Sequence, residues 1–267
     1  MEPFGAMPGG DRIDLYTLTN ERGTTAAVTT YGARLVKFER NVNGTPLDIV
    51  LGYDCAEDYI DDRAFMGAIV GRHANRIARG RVTIAGRPYQ LEQNTGSKKQ
   101  NHIHGGTRGL HAHLWTAQPV DGGVSFTTVS PDGECGYPGN FEVRVTYRLT
   151  DDDALIISYR AVSDADTICN LTNHTYFNLD GAAADSVLDH TAEIFADEFT
   201  WADAEALPDG RILPVVGTPM DFTTPHRIGE RIDADYDQLQ MAGGYDHNWV
   251  LRGDIAPEPY SHLKKAA

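Results

Sequence analysis

The residues best suited to chemistry in this chain lie in Asn170–Leu179, Asn-Leu-Thr-Asn-His-Thr-Tyr-Phe-Asn-Leu. Amides, hydroxyls and one imidazole crowd around His174. The run is too polar for a buried central strand and too aromatic for a solvent loop. Side chains of an extended chain emerge with period two, so His174, Tyr176 and Asn178 share one face while Asn173, Thr175 and Phe177 take the other. This suits the floor of a site; a half-exposed strand with one hydrogen-bonded histidine is the plainer reading. The chemistry on offer is proton transfer near neutral pH, where an imidazole of ordinary pKa ~6.5 changes charge.

Four other stretches carry functional side chains. In Gly71–Gly80, Gly-Arg-His-Ala-Asn-Arg-Ile-Ala-Arg-Gly, glycines bracket three arginines and an asparagine. These are forked donors able to hold oxygens in fixed geometry. Arg72 and Arg79 read as a solvated basic turn, whereas Asn75 and Arg76, beside Ala74 and Ile77, point inward. A phosphate cradle is disfavoured, because neither a P-loop nor a GxGxxG spacing is present. The second stretch holds two His-x-His pairs, His102/His104 and His111/His113, around Gly105-Gly106. Alternate strand positions can present imidazoles to a metal, but no nearby carboxylate completes a ligand set. A single working imidazole at His104, given room by the two glycines, is the better reading; His102, His111 and His113 go to the surface or to support behind the site. Ser130–Gly139 is a loop punctuated by proline and glycine and reads as structural. Gly243–Trp249 brings a carboxylate, Asp246, next to aromatics, a set suited to sugar hydroxyls, or to an ordinary lead into a strand.

The elements that must position these residues are mostly short strands. Asp14–Thr19 and Thr25–Thr30 flank the turn Asn20–Gly23, and Leu35–Arg40 and Leu47–Leu51 flank Asn43-Gly44. Arg81–Ile84 and Tyr89–Leu91 flank Ala85-Gly86. Phe141–Leu149 alternates most clearly, and Asp151–Asp153 turns it into a further strand, Ala154–Val162. Leu188–Phe195 alternates again. Ala56–Ile60 suggests a short helix, and no window carries the apolar spacing of a helix of ten or more residues. No repeat or linker interrupts residues 1–267, which implies one all-β domain, a sandwich rather than a closed barrel.

Composition narrows the function. A formal net charge of −15 argues against nucleic-acid and anionic-membrane partners. Three separated cysteines, Cys55, Cys135 and Cys169, give neither a zinc knuckle nor a disulfide framework. The first ten residues lack the basic and apolar regions of a signal peptide, and no apolar run approaches the ~18 residues of a membrane helix. The expectation is a soluble cytoplasmic protein, monomer or homodimer.

Taken in order, Gly-Arg-x-Ala-Asn-Arg-Ile, Asn-x-Ile-His-Gly-Gly, Ser-Pro-Asp-Gly-Glu-x-Gly-Tyr-Pro-Gly, Asn-Leu-Thr-Asn-His-Thr-Tyr-Phe-Asn-Leu and Gly-Tyr-Asp-His-Asn-Trp resemble the motifs of the aldose 1-epimerases, the galactose mutarotases, from about Thr25 to Leu251. The resemblance implies a β-supersandwich and interconversion of the α and β anomers of free aldoses without a cofactor. Carried over by motif, Asn75 and Arg76 would bind the sugar, His104 would assist at the ring-oxygen side, His174 would be the general acid, and Asp246 would hold hydroxyls. No metal is implied. The family's general base is a glutamate beyond the Asp-His-Asn segment, and neither Asp254 nor Glu258 sits in a matching motif. The closing Ser261–Ala267 resembles the beginning of the next family strand, so the resemblance implies a C-terminally incomplete domain. Lack of the base would impair the chain by ~10²–10⁴ in rate. The competing readings are a non-catalytic carbohydrate-binding protein, a histidine-rich metalloenzyme, and a hexose-phosphate epimerase of the same fold with Arg72 or Arg79 supplying extra charge.

Overall fold

The structure is a computed structural model and describes residues 1–42 and 44–253. Asn43 of the expected Asn43-Gly44 turn, Asp254, Glu258 and Ser261–Ala267 lie outside the described residues. The chain gathers into two compact units, Met1–Ala184 and one that begins at Asp185. Strands dominate both, as the sequence implies; the α-helices of the described residues are Ala56–Ile60 and Asp237–Ala242.

In the first unit, Glu2–Ala6, Arg12–Thr19, Thr25–Thr29, Leu35–Val42 and Thr45–Asp48 form a five-stranded antiparallel sheet in chain order. A second meander pairs Thr116–Val120, Gly123–Ser130, Phe141–Leu149 and Leu155–Ser163. The alternation in Phe141–Leu149 is the reason this strand has one core face: Phe141, Val143, Val145, Tyr147 and Leu149 are buried, while Glu142, Arg144 and Arg148 are exposed. They pack with Val28, Leu35, Phe38, Ile69, Trp115 and Phe126 in one cluster. Each fully buried side chain of this kind contributes ~1.5–3 kcal/mol. Tyr147 ties this core to the chemistry-bearing stretch. Its hydroxyl donates to Ala33 O at 2.7 Å and accepts from Asn173 Nδ2 at 3.2 Å.

The second unit pairs Pro208–Pro214 and Trp249–Leu251 on either side of Ala196–Ala202. Phe199, Val215, Met220 and Leu239 form its core. Leu188–Phe195 is not the strand its alternation suggests. Only Thr191–Ala192 pairs, against His226–Arg227, because the flanking groups bond elsewhere: Ile194 N–H to Phe222 O at 2.7 Å, and Leu188 O from Gly229 N–H at 2.7 Å. Among the described residues no helix is long and apolar enough to cross a membrane. Cys55, Cys135 and Cys169 are free thiols.

Candidate active site

Two of the glycine-bracketed motifs meet as a ribbon. Arg76–Ile77 pairs antiparallel with His102–Ile103, setting Ile77 opposite His102 and Arg76 opposite Ile103. At one end both chains turn through the left-handed region, Asn75 at φ 68° and His104 at φ 52°. The two residues clasp each other there. Asn75 N–H donates to His104 Nδ1 at 3.1 Å, and His104 N–H donates to Asn75 O at 3.3 Å. Asn75 Oδ1 accepts from Arg76 N–H at 2.8 Å and from its Nη1 at 3.4 Å, which sets the guanidinium beside the amide. Both side chains are half-buried, as their apolar neighbours imply.

Gly105 makes the close approach possible. At φ 84°, a Cβ built there would lie 1.7 Å from Gly71 O. Gly105→Ala is therefore expected to push the His104 turn off Gly71 and to cost about 2–3 kcal/mol, read as a lowered thermal midpoint. A midpoint within a degree of the parent would contradict this.

His174 follows the short strand Thr172–Asn173, paired with Ile69–Val70. Both its backbone groups are anchored: its N–H donates to Ala68 O at 2.8 Å, and its O accepts from Gly67 N–H at 3.0 Å. Asn173 turns to the core side, donating to Gly67 O at 2.9 Å, and its Oδ1 accepts from the Thr175 hydroxyl. Tyr176 shares the His174 face, with ring centroids 5.2 Å apart. The two-faced pattern expected from the sequence holds at these positions.

The two expected imidazoles come together. The rings of His104 and His174 lie 5.1 Å apart at 89°. Phe65 packs against both, 4.7 Å from His104 and 5.8 Å from His174, and lies 4.7 Å from His111. Burial drives the His104 pKa down to about 3, with positive charge at His174, Arg76, His111 and His102 adding to it. His104 is thus neutral near pH 7. Since its Nδ1 accepts from Asn75, its proton sits on Nε2.

His111 behaves alike: burial takes its pKa to about 3, and its buried Nδ1 has no hydrogen-bond partner. Both histidines bind a proton in the folded state well below the unfolded value of ~6.5. Their stabilisation is complete above that value and is lost as pH falls from it toward 3. The unfolding midpoint should decline over this window, and His111→Leu should flatten the decline. Calorimetry across pH checks this; an equally steep acid limb in the variant would contradict it.

Asp246 lies in the second unit, exposed on the segment leading into Trp249–Leu251, whose indole N–H donates to Met220 O at 3.0 Å. The His-x-His pairs diverge. His102 is fully buried, its Nε2 2.6 Å from the Tyr137 hydroxyl, so it supports the ribbon from behind. His113 Nε2 faces Glu134 at 3.1 Å. No group of three potential ligands gathers among the described residues.

Arg72 corrects the sequence reading. It is buried, 1% exposed, rather than solvated. Its guanidinium fills the Ser130–Gly139 loop, donating to Ser130 O at 2.8 Å, Pro131 O at 3.0 Å, Pro138 O at 2.9 Å and Gly139 O at 2.9 Å. That loop is structural, as its composition implies, and Arg72 is what it is built around. Arg79 is exposed, as expected. Phe65 carries no signal in the sequence, because neither its type nor its neighbours announce the turn that aims it.

The profile of the aldose 1-epimerase family matches residues 14–266. Galactose mutarotase of Rattus norvegicus is 39% identical over 251 residues, 93% of this chain and 70% of that protein. Aldose 1-epimerase of Escherichia coli strain K12 is 38% identical over 247 residues, 92% of this chain and 70% of that protein. The structure of galactose 1-epimerase from Lactobacillus acidophilus NCFM superposes with a TM-score of 0.83 at 32% identity, covering 95% of this chain and 74% of that one. The clasped Asn75–His104 ribbon and the anchored His174 therefore stand in a chain that belongs to the aldose 1-epimerase family.

Proposed function

We propose that this chain is an aldose 1-epimerase that interconverts the α and β anomers of free aldohexoses such as galactose and glucose, with His174 as general acid. The observation that carries the reading is the pairing of His104 and His174 at 5.1 Å beside the Asn75–Arg76 donors. His174 gives its proton to the ring oxygen as the C1–O5 bond breaks. The C1 hydroxyl loses its proton to a base, leaving an open-chain aldehyde. Rotation about C1–C2 and the reverse transfers close the ring on the other face. The resemblance puts that base beyond the Asp246 segment. Neutral His104 donates a hydrogen bond from Nε2 at the ring-oxygen side, where a neutral donor stabilises developing charge without competing as an acid. Asn75 and Arg76 bind hydroxyls as donors, and the resemblance gives Asp246 the role of a hydroxyl acceptor.

Proton transfers alone balance this reaction, so it calls for no cofactor or metal. The reading includes a single mutarotase-like β-supersandwich domain, a soluble cytoplasmic monomer or homodimer, and no nucleic-acid or membrane partner. A net charge of −15 supports an uncharged ligand. A phosphorylated aldose is less suited, because the Arg72 guanidinium is consumed by loop carbonyls. The test compares freshly dissolved α-D-galactose with α-D-glucose 6-phosphate by NMR of the anomeric protons. Faster exchange of the free sugar supports the reading, whereas acceleration of the phosphate ester alone would overturn it.

A further inference from the structure

We propose that Phe65 is a positioning residue of this site, held by the buried Arg34–Asp62 pair and holding in turn the imidazoles of His104 and His174. The proposal rests on the epimerase reading of those two histidines. It begins with one carboxylate. Asp62 Oδ1 accepts from Ala64 N–H at 2.8 Å, and its Oδ2 accepts from Met66 N–H at 2.8 Å and Arg34 Nη1 at 2.9 Å. Arg34 Nη1 also donates to Met66 O at 2.9 Å, so both backbone groups of Met66 are fixed. The Arg34 and Asp62 side chains are 1% and 0% exposed, and Tyr31 and Tyr59 flank the guanidinium at 5.3 Å each. Ala68 N–H donates to Phe65 O at 3.0 Å, and the Tyr176 hydroxyl donates to Ala64 O at 3.0 Å.

This web holds Phe65 at φ 58°, a conformation that a bulky side chain adopts only when its surroundings impose it. Strain of this sort needs a purpose, and the ring supplies one. It meets His104, His111 and His174 at 4.7, 4.7 and 5.8 Å, the first two edge-on. One phenyl thus packs against both site imidazoles and covers one side of the half-buried His104. The charged and titratable groups facing His104 are His174, Arg76, His111 and His102, all basic. With no acid among them to favour protonation, burial is the largest cause of the neutral His104, and these basic neighbours and the Asn75 N–H that occupies Nδ1 add to it.

The test uses nitrogen NMR of the imidazoles in the free protein between about pH 2.5 and pH 9, together with anomer exchange rates, for Phe65→Ala, Phe65→Leu and Phe65→Tyr. Removing the ring should raise the His104 titration by about one unit or more and slow exchange by about 10–100-fold, chiefly in kcat. Phe65→Tyr, which keeps the ring at a residue lining an open cleft of about 1010 Å³, should restore both. Should the alanine variant fail to fold, the leucine variant decides. Unchanged histidine titrations in a folded Ala or Leu variant would overturn the proposal, and so would a Tyr variant as impaired as Ala. A parent protein with no anomer exchange would defeat the functional reading alone, because the nitrogen titrations still decide the place of Phe65.

Discussion

His174→Gln is expected to slow anomer exchange by ~10²–10⁴, equivalent to about 3–5 kcal/mol of barrier, while leaving sugar affinity within a few-fold. Glutamine keeps a donor near the same place, so hydroxyl recognition survives, but an amide cannot deliver a proton to the ring oxygen. The His174 backbone is held on both sides by Gly67 and Ala68, so the substitution should not move the chain. Polarimetric rates and sugar titrations of parent and variant give the comparison. A variant that retains the parent rate would remove His174 from the acid role. A variant with the parent's affinity but no activity would set the chain apart from a pure binding protein, which has no rate to lose.

Arg72→Ala should destabilise the first unit by about 3–5 kcal/mol. The guanidinium satisfies four loop carbonyls, and its Nε and Nη1 also donate to Ser130 Oγ at 3.0 Å and Thr167 Oγ1 at 3.2 Å. Removing it leaves acceptors buried without partners and opens a void between Tyr137 and Phe141, whose rings lie 5.6 and 5.2 Å from it. Burial lowers the proton affinity of Arg72, and the nearby Glu134 carboxylate acts against this. Arg72→Lys should recover only part of the loss, because one ammonium cannot span so many carbonyls in fixed directions. Urea denaturation followed by circular dichroism provides the measurement. A shift below about 1 kcal/mol for Arg72→Ala would show that solvent reaches these carbonyls.

How much of this was legible in the sequence depended on whether the cause was local. Phe141–Leu149 was readable because its side chains alternate across one buried face. The Ala85-Gly86 turn was readable because glycine and a short loop fix a hairpin. Asn75, Arg76, His104 and His174 were likewise marked out by local context, through glycines that permit a close approach and polar residues packed too densely for a core. Non-local causes left no such trace. Nothing in Gly71-Arg72 announces that a distant loop will close on the guanidinium, so Arg72 read as solvated. Leu188–Phe195 alternates like a strand, yet its hydrogen bonds go to Phe222 and Gly229, and strand formation needs a partner as well as a pattern. Asp237–Ala242, only six residues long, is too short for apolar spacing to reveal and is marked mainly by the left-handed Gly243 that ends it. Phe65 is aimed by Asp62 and Arg34, and the latter lies 31 residues back in the chain (65 − 34).

The central claim, acid-assisted opening of a free sugar ring at His174, is tested most directly by polarimetry of freshly dissolved α-D-galactose in weak buffer near neutral pH, with and without the protein. The account predicts an approach to the equilibrium rotation that stays faster than the spontaneous drift even after the ~10²–10⁴ in rate that lack of the family's glutamate would remove, and a return to that drift when His174 is replaced. Rotation that follows the spontaneous curve with folded, sugar-binding protein present would contradict it, as would acceleration that survives the loss of His174.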